Sequence, residues 1–250
     1  MLQELRSCEN DGLSREEWSW AAREFRAGNV PPSATEMREP DICGRSPFGG
    51  MAKRSLDLLI SFLLLPLAVF VGVPIACVIA LDGGNPIYGH TRVGWNGRLF
   101  RCYKFRTMNV EAEHELDRLL EQDEIARQQW LDRFKLENDP RVTPLGRWLR
   151  KTYLDEIPQI WNVLRGDMSW VGPRPVVPAE MEKYGVFQSS YLGCRPGISG
   201  LWQINRHSDT TYIQRVGFDV QYAQKWSPAR DVTIVLLTIP RILFAGGNVQ

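Results

Sequence analysis

Apolar and polar positions divide this chain into unlike stretches. From Leu58 to Leu81 no residue is charged. That run exceeds the roughly 18 apolar residues at which membrane insertion is suspected, and a soluble core helix seldom stays apolar on every face for so long. Lys53 and Arg54 precede it, while Arg92, Arg98, Arg101, Lys104 and Arg106 follow it. A spanning helix should carry its positive excess on one side only. A re-entrant helix that returns both ends to one face accommodates both flanks. Pro66 and Pro74 each remove a backbone donor and favour a kink. The pattern predicts a kinked re-entrant helix over 51–82. A straight span stays open, because membrane helices tolerate proline.

Residues 1–50 are polar and interrupted by Pro31, Pro32, Pro40 and Pro47, which predicts a largely disordered extension. Within it, Ser14 and Glu17 match a capping box, and Trp18, Ala22 and Phe25 share a helical face. That short helix is either a surface helix or an interfacial one with Trp18 and Trp20 at the lipid boundary. Past Asp82, Asn96-Gly97 between β-prone stretches signals a hairpin. Val110 to Lys135 reads as a charged helical region. Ile157 to Arg165 reads as a helix with Pro158 in its first turn and Gly166 as its stop. VGPRPVVPAE reads as an extended loop, and Glu180–Gly185, Tyr212–Trp226 and Asp231–Phe244 as helices. The expected fold is mostly α with a small β-hairpin element: a monotopic membrane protein with a kinked re-entrant helix, amphipathic interfacial helices and a domain over 83–250.

Composition narrows the chemistry. Lys and Arg total 30 against 29 Asp and Glu, a formal charge of +1, which excludes a general electrostatic nucleic-acid binder. The five cysteines form no CxxC pair, which argues against a disulfide framework or a zinc knuckle. The three histidines, His90, His114 and His207, are scattered. Any metal would then be held by carboxylates, which favours a hard cation such as Mg²⁺. The opening MLQELRSCENDG lacks the basic and apolar regions of a secretory signal.

Functional groups concentrate between Leu149 and Pro175, in LRKTYLDEIPQIWNVLRGDMSWVGPRP. Asp155 and Glu156 stand at a predicted helix start, where the helix dipole favours ionised carboxylates. An ionised carboxylate is a usable nucleophile toward phosphorus. Arg150, Lys151, Arg165 and Arg174 add cations within the same stretch, as a phosphoanhydride substrate would need. Taken alone, an acidic pair at a helix start more often merely caps the helix. Arg174 stands between two prolines that fix its backbone; it is either aimed at a ligand or held in an ion pair. In YKFRTM, Lys104 and Arg106 fall on one face of a strand and suit phosphate or anionic headgroups. NDPRVT adds a turn with Asp139 and Arg141. The glycines of RPGISGLWQ, which begins at Arg195, serve backbone approach to a ligand or tight turning equally well.

KFRTM, NDPRVTPLGRWLRKTYLDEIPQIWNVLRGDMSWVGPRP and RPGISGLWQ, in that order, resemble the bacterial sugar transferases. These are monotopic phosphoglycosyl transferases that start exopolysaccharide assembly. The resemblance runs from about Lys53 to the C-terminus and is strongest to the short, succinoglycan-type galactose-phosphate transferases. It implies that a hexose-1-phosphate, galactose-1-phosphate favoured, passes from a UDP-sugar to undecaprenyl phosphate with release of UMP. Asp155 matches the family nucleophile, which forms a phosphosugar-aspartyl intermediate. Glu156 matches its partner as base or, with Asp155, as a ligand of Mg²⁺. Lys104, Arg106, Arg150, Arg174 and Arg195 become the candidate substrate-binding residues. The implied partners are UDP-galactose (then UDP-glucose), undecaprenyl phosphate and the bilayer, with no nucleic acid; a homodimer is left open. The implied location is the inner membrane, with the site facing the cytoplasm. Two positions depart from the family pattern. Leu65 precedes Pro66 where serine is usual, and Arg206-His207 stands after the WQ element where Gly-Arg is common.

On the residues alone, two other classes remain: a membrane scaffold of polysaccharide assembly and a soluble metal-dependent phosphohydrolase. The intact Asp155–Glu156 pair with Arg174 argues against the first, and the uncharged run against the second.

Overall fold

A computed structural model describes residues 46–133, 136, 139–205 and 211–244. The capping box at Ser14, Trp18, Trp20 and the Arg206-His207 dipeptide lie outside the described residues. The apolar run forms helix α1 (Gly50–Ala80), whose helical structure continues through Pro66 and Pro74. At 1.5 Å per residue it measures roughly 46 Å along its axis, long and apolar enough to cross a membrane. Only 11% of its most apolar stretch is buried within the protein. Leu59, Phe62, Leu63, Leu67 and Phe70 are all exposed. Surface this apolar is ill suited to water and calls for an apolar environment. Neither proline breaks the helix.

The hairpin forms where Asn96-Gly97 predicts it. Strands β1 (Ile87–Val93) and β2 (Leu99–Phe105) make a two-stranded sheet. Asn96 (φ 56°) and Gly97 (φ 75°) supply the left-handed backbone of the connection, a conformation that Asn and Gly adopt most readily. The charged stretch that follows is two helices, α2 (Ala112–Gln122) and α3 (Glu124–Arg133). They divide at Asp123, whose Oδ1 accepts from the amides of Ile125 (2.8 Å) and Ala126 (3.1 Å) and so starts a new helix. Helix α4 (Pro144–Lys151) begins behind Thr143, whose hydroxyl accepts from the Gly146 amide at 2.9 Å. Helix α5 (Gln159–Arg165) ends at Gly166 in a left-handed conformation (φ 87°), as the sequence predicts.

The elements that follow are β3 (Ser169–Val171), α6 (Pro178–Met181), a 3₁₀ helix (Glu182–Phe187), α7 (Gln188–Leu192), β4 (Gly197–Ser199), α8 (Leu201–Asn205), α9 (Tyr212–Gln224) and α10 (Pro228–Phe244). Strands β3 and β4 pair in parallel, Ser169 opposite Gly197 and Val171 opposite Ser199. This pair explains the glycines of RPGISG. A Cβ on Gly197 would lie 2.1 Å from the Gly172 nitrogen, and one on Gly200 would lie 2.2 Å from the Gly172 oxygen. The close approach is between two backbones, neither of the two alternatives the sequence posed.

The chain divides into two compact units. Of the described residues, the first contains those within 46–63, 90–102 and 160–239; the second contains those within 64–89, 103–159 and 240–244. One core of the first unit gathers Val171, Cys194, Tyr222 and Ile234, with Phe48 and Trp226 against it. Another gathers Val176, Tyr184, Tyr191 and Val216. Lys53, at the start of α1, is buried there against Asp231 (Nζ to Oδ2, 2.5 Å). Asp231 also accepts from the Tyr222 hydroxyl (2.7 Å) and from Trp226 Nε1 (3.0 Å). One turn on, Asp57 Oδ1 accepts from the Ser169 hydroxyl (2.8 Å) and the Trp170 amide (3.0 Å), tying α1 to β3. The core of the second unit is Ile79, Phe105 and Leu149, with Leu145, Leu154 and Ile157 packed on it.

Candidate active site

The second unit assembles a site around the acidic pair. After α4 the backbone turns through Tyr153, in the left-handed region (φ 57°), into a short 3₁₀ turn over Leu154–Glu156. Leu154 and Ile157 pack on the Ile79–Phe105–Leu149 core. Their burial draws Asp155 inward, leaving it 6% exposed. The pair therefore precedes α5 in a turn of its own instead of occupying its first helical turn.

Lys104, the penultimate residue of β2, meets both carboxylates. Its Nζ donates to Glu156 Oε1 at 2.6 Å and reaches Asp155 Oδ2 at 3.5 Å. Burial pushes the Asp155 carboxyl above the ordinary aspartate range. The Lys104 ammonium opposes that shift, Glu156 adds to it, and Arg150 opposes it. Asp155 is thus a desolvated carboxylate held against protonation by cations. Desolvation strips a nucleophile of its water shell, and nearby cations keep it available as the anion.

Arg150 lies in the last turn of α4 and donates from Nε to the Thr107 hydroxyl at 2.9 Å. Burial pushes the Arg150 guanidinium below its ordinary pKa, and the Asp155 and Asp139 charges work against that. Arg106 has a different employment. Its Nε donates to the Asn85 carbonyl (2.9 Å), its Nη1 to Asp82 Oδ2 (2.8 Å) and its Nη2 to the Ile79 carbonyl (3.0 Å). Arg106 therefore closes the turn that follows α1, while Lys104 joins the acidic pair. Asp139 and Arg141 form a doubly bonded pair (2.8 and 2.7 Å) that folds the NDPR turn.

Arg174 and Arg195 belong to the first unit. Arg174 is exposed on a loop fixed on both sides. The Pro173 carbonyl accepts from the Gly197 amide (2.8 Å), and the Pro175 carbonyl accepts from Arg92 Nη1 (3.3 Å). Arg195 donates from Nε to the Gly166 carbonyl at 2.9 Å, at the C-terminal end of α5. Arg54 donates to the Val163 and Leu164 carbonyls of that same helix end (2.5 and 2.7 Å).

The family model for bacterial sugar transferases matches residues 48–245. This chain belongs to the bacterial sugar transferase family. Among its relatives is an exopolysaccharide production protein, ExoY, of Rhizobium meliloti, 46% identical over 206 residues, covering 81% of this chain and 90% of that protein. A UDP-galactose-lipid carrier transferase of Erwinia amylovora is 45% identical over 195 residues. An undecaprenyl-phosphate galactose phosphotransferase of Salmonella typhimurium is likewise 45% identical over 195 residues. Each of these two matches covers 78% of this chain and 41% of the relative. The sugar transferase chain thus spans less than half of those two proteins and nearly the whole of ExoY.

Three residues of this sugar transferase carry the site without being singled out by sequence. Thr107 holds Arg150. Gly146 lets α4 lie against the 107 backbone, since a Cβ there would come 2.0 Å from the Thr107 carbonyl oxygen. Tyr153 makes the turn that presents the acidic pair. The Thr of KFRTM and the Gly of PLGRW were visible as letters, but their partners lie about 40 residues apart in the chain. Among the described residues no group of three or more His, Cys, Asp or Glu gathers as a metal cluster. The two adjacent carboxylates supply hard oxygen donors, and these fit Mg²⁺ only with further oxygens from substrate phosphates or water.

Proposed function

We propose that this chain transfers a hexose-1-phosphate from a UDP-hexose to undecaprenyl phosphate and releases UMP, as the first membrane step of exopolysaccharide biosynthesis. The observation that carries the reading is the buried Asp155, held beside Glu156 and Lys104 in a bacterial sugar transferase. The names of the Erwinia and Salmonella relatives favour galactose as the sugar.

In the first displacement an Asp155 carboxylate oxygen bonds to the β-phosphorus of the UDP-sugar. The bond from that phosphorus to the bridging oxygen breaks, and UMP departs with the oxygen. In the second, a phosphate oxygen of undecaprenyl phosphate bonds to the same phosphorus and expels Asp155. The product is the lipid diphosphate sugar, with the anomeric carbon untouched. Lys104 keeps Asp155 ionised before attack and offsets phosphoryl charge during it. Arg150 faces the same carboxylate with a second fixed positive charge. Glu156 accepts a proton from a singly protonated acceptor phosphate. Mg²⁺ bound by Asp155 and Glu156 would supply further charge neutralisation at the diphosphate.

The apolar, exposed α1 supports anchoring in the inner membrane. The positive flanks at Lys53–Arg54 and at Arg92 onward support a re-entrant course with the site at the cytoplasmic surface, where a soluble nucleotide and a lipid phosphate meet. The test is UMP release by the purified chain in nanodiscs with undecaprenyl phosphate and one UDP-sugar at a time, together with intact-protein mass after incubation without acceptor. The expected result is release with UDP-galactose and a mass gain of one hexose-phosphate. Release without any covalent adduct in a rapid quench would replace the two-step route by direct transfer; no release with any donor would remove the function.

A further inference from the structure

The end of β2 and the residues just after it perform two tasks within four residues. Lys104 engages the acidic pair, and Thr107 engages Arg150. Thr107 is buried (8% exposed), and its carbonyl accepts from the Thr143 amide at 3.1 Å. The Gly146 backbone of α4 rests on that same carbonyl. Thr107 thereby sets the seat of α4 through its backbone and the aim of Arg150 through its hydroxyl.

The bond to Thr107 uses only Nε of Arg150. The two Nη groups make no hydrogen bond with any described residue, although Asp155 and Asp139 are near enough to act on the guanidinium charge. A guanidinium carries five donors in a flat fork, which matches phosphoryl oxygens in pairs. With Nε anchored, rotation about the last side-chain bonds is restricted and the Nη edge is held ready. Such fixing matters because a small misplacement of a positioning group costs rate and affinity far beyond one contact.

We propose that Thr107 is a positioning residue for the nucleoside diphosphate: its hydroxyl fixes Arg150 so that the Nη edge binds the diphosphate beside Asp155. This rests on the transferase reading above and adds a residue to it. A side chain without the hydroxyl leaves Arg150 rotating. Serine keeps the acceptor oxygen and should keep the function.

The experiment measures UDP affinity by calorimetry and the KM for UDP-galactose by UMP release, on the full chain in nanodiscs. Wild type, Thr107→Val, Thr107→Ser, Arg150→Gln and the Thr107→Val/Arg150→Gln double variant are compared, with thermal melting as a control for folding. Thr107→Val should weaken UDP binding and raise KM roughly tenfold, the scale of one lost hydrogen bond to a charged group. Thr107→Ser should restore both. On the Arg150→Gln background, Thr107→Val should add nothing further. An equal loss on both backgrounds would show a structural residue acting independently of Arg150 and would overturn the proposal, as would failure of serine to rescue. Unchanged UDP affinity in Thr107→Val, with wild type binding and turning over, overturns it while leaving the transferase intact. If wild type neither binds UDP nor releases UMP, the transferase reading falls and takes this one with it.

Discussion

Two lysines in this chain each meet a carboxylate within 2.6 Å, and only one of them belongs to a candidate reaction centre. Lys53 and Asp231 lie in the first unit with side chains 5% and 3% exposed. Both Asp231 oxygens are also engaged by aromatic donors, Tyr222 and Trp226. Lys104 lies in the second unit, 35% exposed, and shares itself between Glu156 at 2.6 Å and Asp155 at 3.5 Å. The first arrangement satisfies its carboxylate and shuts out water, so it can only hold the fold. The second leaves Asp155 desolvated with a long, single ammonium contact on an accessible side. A buried charge pair becomes a reactive one when one partner is under-satisfied and a substrate can reach it.

Substitutions can break this comparison from either side. The largest effect is expected at Asp155. Asp155→Asn should abolish UMP release by at least about a thousandfold, on the scale of losing a covalent nucleophile. Because burial opposes ionisation there, the same change removes a desolvated charge, and its melting temperature should not fall. Circular dichroism melts alongside the UMP assay check both halves. Lys53→Met should do the opposite. Leaving Asp231 buried without its cation is expected to cost about 3–5 kcal/mol of stability, read by denaturant unfolding, while the folded fraction keeps its KM for the UDP-sugar. If Lys53→Met changed KM and spared stability, the two sites would not differ as described.

Smaller effects sharpen the contrast. Asp155 sits above its ordinary range, and Lys104 holds it down from a still higher value. In the proposed reaction the ionised form attacks, so activity should fall as pH drops through the raised value. Lys104→Met removes the opposing cation, and the acid limb of the kcat/KM profile should move to higher pH. A limb that stays in place would assign it to another group. The smallest change is expected at Arg106→Gln. It loosens the turn after α1, where Asp82 is half exposed and solvent screens the pair. UDP affinity should stay within about twofold, the scale of such a surface pair; a larger loss would return Arg106 to the substrate.

Much of the fold was legible because its signals are local. The uncharged run, the Asn96-Gly97 hairpin and the Pro158–Gly166 bracket around α5 depend on residues adjacent in sequence. The break at Asp123 was missed although its cap is local as well, because the surrounding charge pattern continues on both sides of it. The β3–β4 pair could not be read at all. Each strand has three residues, and a parallel pairing between segments nearly 30 positions apart leaves no alternation to detect.

The candidate site divides in the same way. Sequence alone named the candidates for the chemistry: an adjacent Asp155 and Glu156, cations in the same motifs, and a long apolar helix. Composition and order suffice for that, because acidity, charge and hydrophobicity belong to the side chains themselves. Tertiary structure alone decided how they are used. It buried Asp155, left Lys104 to share itself between two carboxylates, tied Arg106 to a turn and gave Arg150 to Thr107. Those outcomes depend on desolvation and on distances of a few ångströms between residues far apart in the chain, and electrostatic energy in a poorly polarisable interior changes steeply over such distances.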